Sequence, residues 1–181
     1  MKIIKNILIW LSSIPIGIIV AILVSTFVFH PTKVLGKSME PTIKPNKHIY
    51  VSKLEHTFSY QPRYGDIVII DSRIHHPRTV MDDFLNSPVI RLFLKDQPHY
   101  LWIKRVIGLP SDVIEIKNNQ LYRNGKLLKE DYIKEKMNTP DLKIKIPDGK
   151  IFVLGDNRNQ SLDSRQIGCI PLDHVIGVKI F

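Results

Sequence analysis

The chain has one cysteine, Cys169, in 181 residues. No disulfide can close within it, and no Cys-x-x-Cys zinc or redox motif can be built from it. Beside Gly168, Cys169 reads as a small core residue rather than a nucleophile. Also missing are a GxxxxGK[ST] phosphate loop and a GxGxxG turn, so nucleotide binding has no sequence support. No repeat or low-complexity tract is visible, which removes a solenoid or an array. Aromatic residues are only 8% of the chain and the basic residues are not interleaved with them, so no stacking platform is seen and no nucleic-acid partner is expected. The seven histidines, His75-His76 among them, show no ligand spacing with Cys or carboxylates, and neither a metal nor a cofactor is expected. Acidic residues are few against basic ones, 17 to 26, for a formal net charge of +9. That excess fits attraction to anionic lipid, nucleic-acid binding or plain solubility, and by itself does not choose among them.

What is present begins with a run from Ile7 to Phe29 that contains no charged residue and is interrupted only by small residues and Pro15. As a helix rising 1.5 Å per residue it spans roughly 35 Å, enough for a hydrocarbon core of about 30 Å. The run predicts a transmembrane helix at 7–29 behind a short tail, 1–6. A cleaved leader is the alternative, since Lys2 and Lys5 form a positive amino-terminal region. The run is long for one, however, and lacks a small-x-small exit before His30-Pro31. Counting lysines leaves orientation open, because Lys33, Lys37, Lys44 and Lys47 follow on the other side; a domain of this size crosses a membrane largely regardless of its charge.

After Pro31 the pattern changes to short β-branched segments bounded by turn residues. Strands are predicted at 49–52, 66–71, 103–107, 113–117, 120–122, 151–154 and 175–180, making the domain at 30–181 mostly β. Asn118-Asn119 and Asn124-Gly125 have the chemistry of tight primed turns, which predicts two successive hairpins around residues 113–128. Asp148-Gly149 precedes a further strand. The stretch 74–100 has no clean period, holds a short predicted helix within 81–94, and reads as an insertion between two strands.

Three polar clusters interrupt this pattern. Gly36-Lys37-Ser38-Met39-Glu40-Pro41-Thr42 follows the apolar run closely. A tight turn there would expose both a serine hydroxyl and an amide N–H, as a nucleophile requires; taken alone, it equally describes a juxtamembrane loop whose serine is a cap. Lys104-Arg105 interrupts an apolar strand, where neighbouring side chains point to opposite faces, so one of the two is directed inward. A lysine buried among Ile and Val loses charge readily and becomes a base near neutral pH; a snorkelling edge-strand lysine fits the same residues. Gly155 to Arg165 follows a strand and combines Asp and Arg that can pair, Asn for turns, and Ser161, able to orient an amine.

Together the clusters resemble type I signal peptidases, the Ser-Lys enzymes that remove signal peptides from exported preproteins. The resemblance lies in Ser38-Met39-Glu40-Pro41-Thr42, Tyr64-Gly65-Asp66-Ile67-Val68, Lys104-Arg105-Val106-Ile107-Gly108, and the GDNRxxSxDSR pattern from Gly155 to Arg165, in the family's order after one membrane span. It implies an antiparallel β-sheet catalytic domain, Ser38 as nucleophile and Lys104 as general base. It also implies that Ser161 orients Lys104, that Asp163, Arg165, Asp156 and Arg158 hold the loop, and that the Ser38 backbone N–H donates to the oxyanion. Two departures matter. Gly36 stands where some members carry a hydroxyl for the oxyanion, leaving the second donor unassigned although members of Gram-positive type also have Gly there. Ser111 replaces a glycine in the Gly-Leu-Pro-Gly-Asp pattern.

The function this resemblance implies is release of signal peptides, with small residues at the first and third positions before the cut. It would act at the outer face of a bacterial cell membrane, as a single-pass protein with a cytoplasmic amino terminus and the bilayer and preproteins as partners. Two other readings are a Ser-Lys peptidase of the self-cleaving repressor kind, whose DNA-binding front end is absent here, and a non-catalytic binding protein that keeps the fold.

Overall fold

In a computed structural model the described residues are 13–23, 29–52, 61–85, 90 and 100–180. Residues 13–23 are helical (α1), with Ile14, Ile16, Ile18, Ile19, Val20 and Leu23 exposed. Among the described residues no helix is long and apolar enough to cross a membrane. The flanks of the predicted span, 7–12 and 24–28, lie outside them, as do 86–89 and 91–94 of the stretch expected to hold a short helix.

The rest is antiparallel sheet. Strands β1 (Phe29–Lys33), β2 (His48–Ser52), β3 (Ile67–Asp71), β4 (Leu101–Gly108), β9 (Lys150–Leu154), β10 (Ile170–Pro171) and β11 (Val175–Lys179) form a seven-stranded sheet in the order β1-β2-β11-β3-β4-β9-β10. A smaller sheet, ordered β7-β6-β5-β8, is built from β5 (Val113–Lys117), β6 (Gln120–Arg123), β7 (Lys126–Leu127) and β8 (Leu142–Lys145). Two short α-helices, α2 (Val80–Leu85) and α3 (Ser164–Ile167), and two 3-10 turns, Arg158–Gln160 and Leu172–His174, complete the described elements. The two hairpins stand where the Asn-rich turns place them: Asn118, Asn119, Asn124 and Gly125 all have positive φ, the geometry that matches the twist of paired strands. Of the strands absent from the sequence reading, β7 and β10 are only two residues long and β1 carries Pro31, while β8 alternates cleanly but is only four residues long, with Leu142 and Ile144 no more than half-buried. Pairing partners supply what periodicity does not.

Alternation divides the core. Val68 and Ile70 of β3 share a face with Val106 and Val153, in a cluster completed by Ile151, Ile170 and Val175. Ile69, on the opposite face, packs with Ile49, Val51 and Ile176 against Val34, Met39 and Ile43. The loop after β1 is therefore fastened to the sheet by Met39 and Ile43, each 1% exposed; buried side chains of this size contribute roughly 1.5–3 kcal/mol each. A third cluster joins the small sheet, through Ile114, Ile116 and Leu121, to Phe152 and Leu154 of β9.

Candidate active site

Ser38 lies in the turn fastened by Met39, and Lys104 lies mid-way along β4. Lys104 pairs with Val68 across β3, while Arg105 pairs with Ile67 and with Leu154 of β9, so adjacent residues point to opposite faces. Lys104 is the buried one, 3% exposed, and its Nζ stands 3.0 Å from Ser38 Oγ. The Trp102 ring, two residues away on the same face, covers the amine with its centroid at 5.5 Å. Burial lowers the Lys104 pKa to about 8; Asp163 and Asp156 oppose that shift and Arg165 adds to it. An amine with this pKa is neutral in a substantial fraction of molecules near pH 8 and can accept a hydroxyl proton.

The turn is held from the far side by the loop after β9. The Asn157 backbone N–H donates to the Ser38 carbonyl at 2.9 Å, and Asn157 Nδ2 donates to the Lys37 carbonyl at 3.2 Å. Among the described residues the Ser38 N–H has no hydrogen-bond acceptor and is left available to a ligand. Thr42 Oγ1 donates to Asp156 Oδ2 at 2.5 Å, and Lys134 pairs with Glu40 at 2.6 Å.

Each member of the Gly155 to Arg165 cluster has a distinct position. Asp156, fully buried, accepts two bonds from Arg105, Nε at 2.8 Å and an Nη at 2.7 Å, rather than pairing with Arg158. Arg158, 1% exposed, instead forms a fork with both carboxylate oxygens of Glu130 and donates to the Gly155 carbonyl. Asp163 caps α3, accepts two side-chain bonds from Arg165, and receives the Gly155 N–H at 3.1 Å. Ser164 Oγ accepts the Val153 N–H and so fixes the loop to β9. Ser161 sits against Gly155: a Cβ on that glycine would stand 2.3 Å from Ser161 Oγ and 2.6 Å from the Ser38 carbonyl oxygen. The Ser161 hydroxyl donates to the Leu162 carbonyl at 3.4 Å, and the amine of Lys104 bonds to Ser38. Gly36 is exposed with open space around it.

Sequence reasoning missed three contributors. Glu130 lies in a loop with no local signal of its partner. For Arg105 the strand pattern leaves open only whether it or Lys104 points inward, and gives no sign of its partner Asp156. Asn157 was read as a turn former, although it clamps the Ser38 turn. Long-range partners of this kind become visible only once the loops are placed.

The sequence has counterparts among known proteins. The family described as signal peptidase, peptidase S26, matches residues 7–181. Signal peptidase I P of Bacillus subtilis subsp. natto is 35% identical over 97% of this chain and 88% of its own length. Signal peptidase I of Bacillus licheniformis is 34% identical over 95% and 86%, and signal peptidase I S of Bacillus subtilis strain 168 is 34% identical over 98% and 89%. Among solved structures, a signal peptidase I of Enterococcus faecalis V583 is 29% identical, with a TM-score of 0.46, over 65% of this chain and 96% of that one. With a match over nearly its whole length and relatives above 30% identity across nearly all of it, this chain belongs to the peptidase S26 family of signal peptidases.

Proposed function

We propose that Ser38 and Lys104 are the dyad with which this signal peptidase, a serine endopeptidase, cleaves signal peptides from preproteins through an acyl-enzyme. The observation that carries the assignment is a buried lysine amine 3.0 Å from a serine hydroxyl. Neutral Lys104 takes the Ser38 proton as Oγ attacks the scissile carbonyl, and returns it to the leaving amine. The same amine then takes a proton from water, which attacks the ester and frees Ser38. The Ser38 N–H, with no acceptor among the described residues, is the first oxyanion donor; the second is unassigned. Ser161, packed against Gly155 beside the dyad, is assigned to aim the Lys104 amine by rotating its hydroxyl from the Leu162 carbonyl, a weak 3.4 Å bond to give up. Asp163 with Arg165, and Asp156 and Arg158 with their partners Arg105 and Glu130, position the loop that clamps the Ser38 turn.

The finer organisation follows from the same reading. The predicted span, 7–29, forms a membrane anchor up to Phe29, which belongs to β1; the tail 1–6 is cytoplasmic, 30–181 is the peptidase domain on the outer face of a bacterial cell membrane, and 74–100 is an insertion within it. The uncharged run at 7–29 and the exposed isoleucines of α1 support the anchor. An extended preprotein would add beside a sheet edge and place small residues, at the first and third positions before the cut, in shallow pockets. The test is cleavage of a model preprotein by the full chain, with amino-terminal sequencing of the product. Ser38→Ala and Lys104→Ala should each abolish cleavage, and activity persisting in either variant would overturn the dyad.

A further inference from the structure

Strand β4 is paired unevenly along its length. On one side β3 runs beside it from Leu101 to Arg105, whereas on the other β9 reaches it only as far as Arg105, opposite Leu154. Val106 donates its N–H to Asp66 and accepts the Gly65 N–H, both on the β3 side. Backbone groups alternate in direction along a strand, so those of Leu101 and Ile103 point away from β3. No strand among the described residues pairs with them there. A peptide laid along this edge beside Lys104 extends freely in one direction only, away from β9. With the residues before the cut along the edge, those after it run head-on into the end of β9 at Leu154 and Gly155, and must rise over the rim of the site.

That rim joins the Ser38 turn, the start of the loop after β9, and Lys134. The Lys134 N–H donates to the Asp156 carbonyl at 3.2 Å, and its amine pairs with Glu40 at 2.6 Å. Both side chains keep contact with solvent, 43% exposed for Lys134 and 20% for Glu40. Glu40 follows Ser38 by two residues, at most roughly 7 Å along the chain, which is the span of about two extended residues of product. The rim is positive. Lys134, chiefly through its hydrogen bond, and Lys37 and Lys44 all hold the Glu40 carboxyl below its ordinary range, so three ammonium groups face one carboxylate. Two further carboxylates of this region are neutralised, Asp156 by Arg105 and Glu130 by Arg158, and the exposed neighbours Glu135 and Lys136 cancel. We infer that this rim receives the mature part of the preprotein and that Lys134 is a specificity-determining residue, favouring substrates with an acidic side chain at the second or third position after the cut over those with a basic one. An arriving carboxylate shares the Lys134 amine with Glu40, whereas an arriving lysine meets three like charges. The inference rests on the proposed dyad and on the preprotein lying along the β4 edge.

The test uses the full chain in nonionic detergent micelles at low salt, with three quenched fluorescent peptides that carry alanine at the first and third positions before the cut. They differ only at the second and third positions after it, which are both Glu, both Gln or both Lys. The expected kcat/KM falls in the order Glu, Gln, Lys, with the Glu peptide about fivefold above the Lys peptide, the scale of exposed charges exchanged between attraction and repulsion. Because the ratio is read within one enzyme, a general loss of activity cancels. Lys134→Glu, which leaves two lysines facing two carboxylates, should bring the Glu-to-Lys ratio to about one. Lys134→Gln, which adds no new charge, should lower it part of the way. Lys126→Glu, the same charge change on exposed β7, should leave it as in the parent. Equal rates for the Glu and Lys peptides in the parent, or a ratio lowered as much by Lys126→Glu as by Lys134→Glu, overturns the inference and leaves the dyad standing, since Ser38→Ala then still cleaves none of the peptides. Cleavage by Ser38→Ala, or no cleavage of any peptide by the parent, refutes the reading of the site itself and the inference with it.

Discussion

With Lys104 as the proposed base, one buried amine links activity to stability. Its pKa falls from 10.5 to about 8 because burial penalises the charged form. Below pH 8 the folded protein holds a charge in a site that disfavours it, at a cost of about 3 kcal/mol. The sign follows from proton counting. Between pH 8 and 10.5 the unfolded chain binds more protons than the folded one, so stability rises with pH across that window and the penalty is gone above it. Activity follows the neutral amine, about a tenth of the molecules at pH 7 and about nine tenths at pH 9, so kcat/KM should rise about tenfold between them and then level. The assay is cleavage of a peptide with alanine at the first and third positions before the cut, by the full chain in detergent micelles. In parallel, Lys104→Met, which keeps the length and drops the charge, should be inactive yet more stable than the parent at pH 7. That advantage should shrink as the pH approaches 10.5. A flat or acid-side rate profile, or a Met variant less stable than the parent at neutral pH, would refute the account of Lys104 as a desolvated base.

Three further outcomes follow from particular contacts. Gly155→Ala should lower kcat at least about 10²-fold, because the added Cβ meets the Ser38 carbonyl and Ser161 and displaces the proposed nucleophile; single-turnover kinetics check it, and near-normal turnover would contradict the packing. Glu130→Ala strands the buried Arg158 guanidinium and should cost about 3–5 kcal/mol, read as a fall of about 10 °C in thermal midpoint. Ser111 has φ of 72°, in the left-handed region. Ser111→Gly should therefore stabilise the protein by about 1 kcal/mol in denaturant unfolding, with activity unchanged.

Much of this protein was legible in its sequence because the relevant physics is local. Asn118-Asn119 and Asn124-Gly125 specify their turns through tolerance of positive φ, and alternation specifies the central strands through which side chains leave water. The resemblance of four short motifs marks Ser38, Lys104 and the Gly155 to Arg165 loop. Local patterns did not say which of Lys104 and Arg105 is buried, because alternation allows either. The register of β4 between β3 and β9 decided it, leaving Lys104 beside Ser38 and Arg105 on Asp156. Nor could they pair Arg158 with Glu130, or show that Asn157 clamps the Ser38 turn, since these contacts join loops far apart in the chain. Composition within 74–100 looked merely irregular; the inward charges and outward apolar face of α2 appear only once Arg73 and Arg78 are seen in place. The sequence by itself determined which chemical groups are available and which short segments form turns and strands, because those depend on neighbours along the chain. Tertiary structure alone decided which groups meet and which lose their water, and the low pKa of Lys104 comes from that loss.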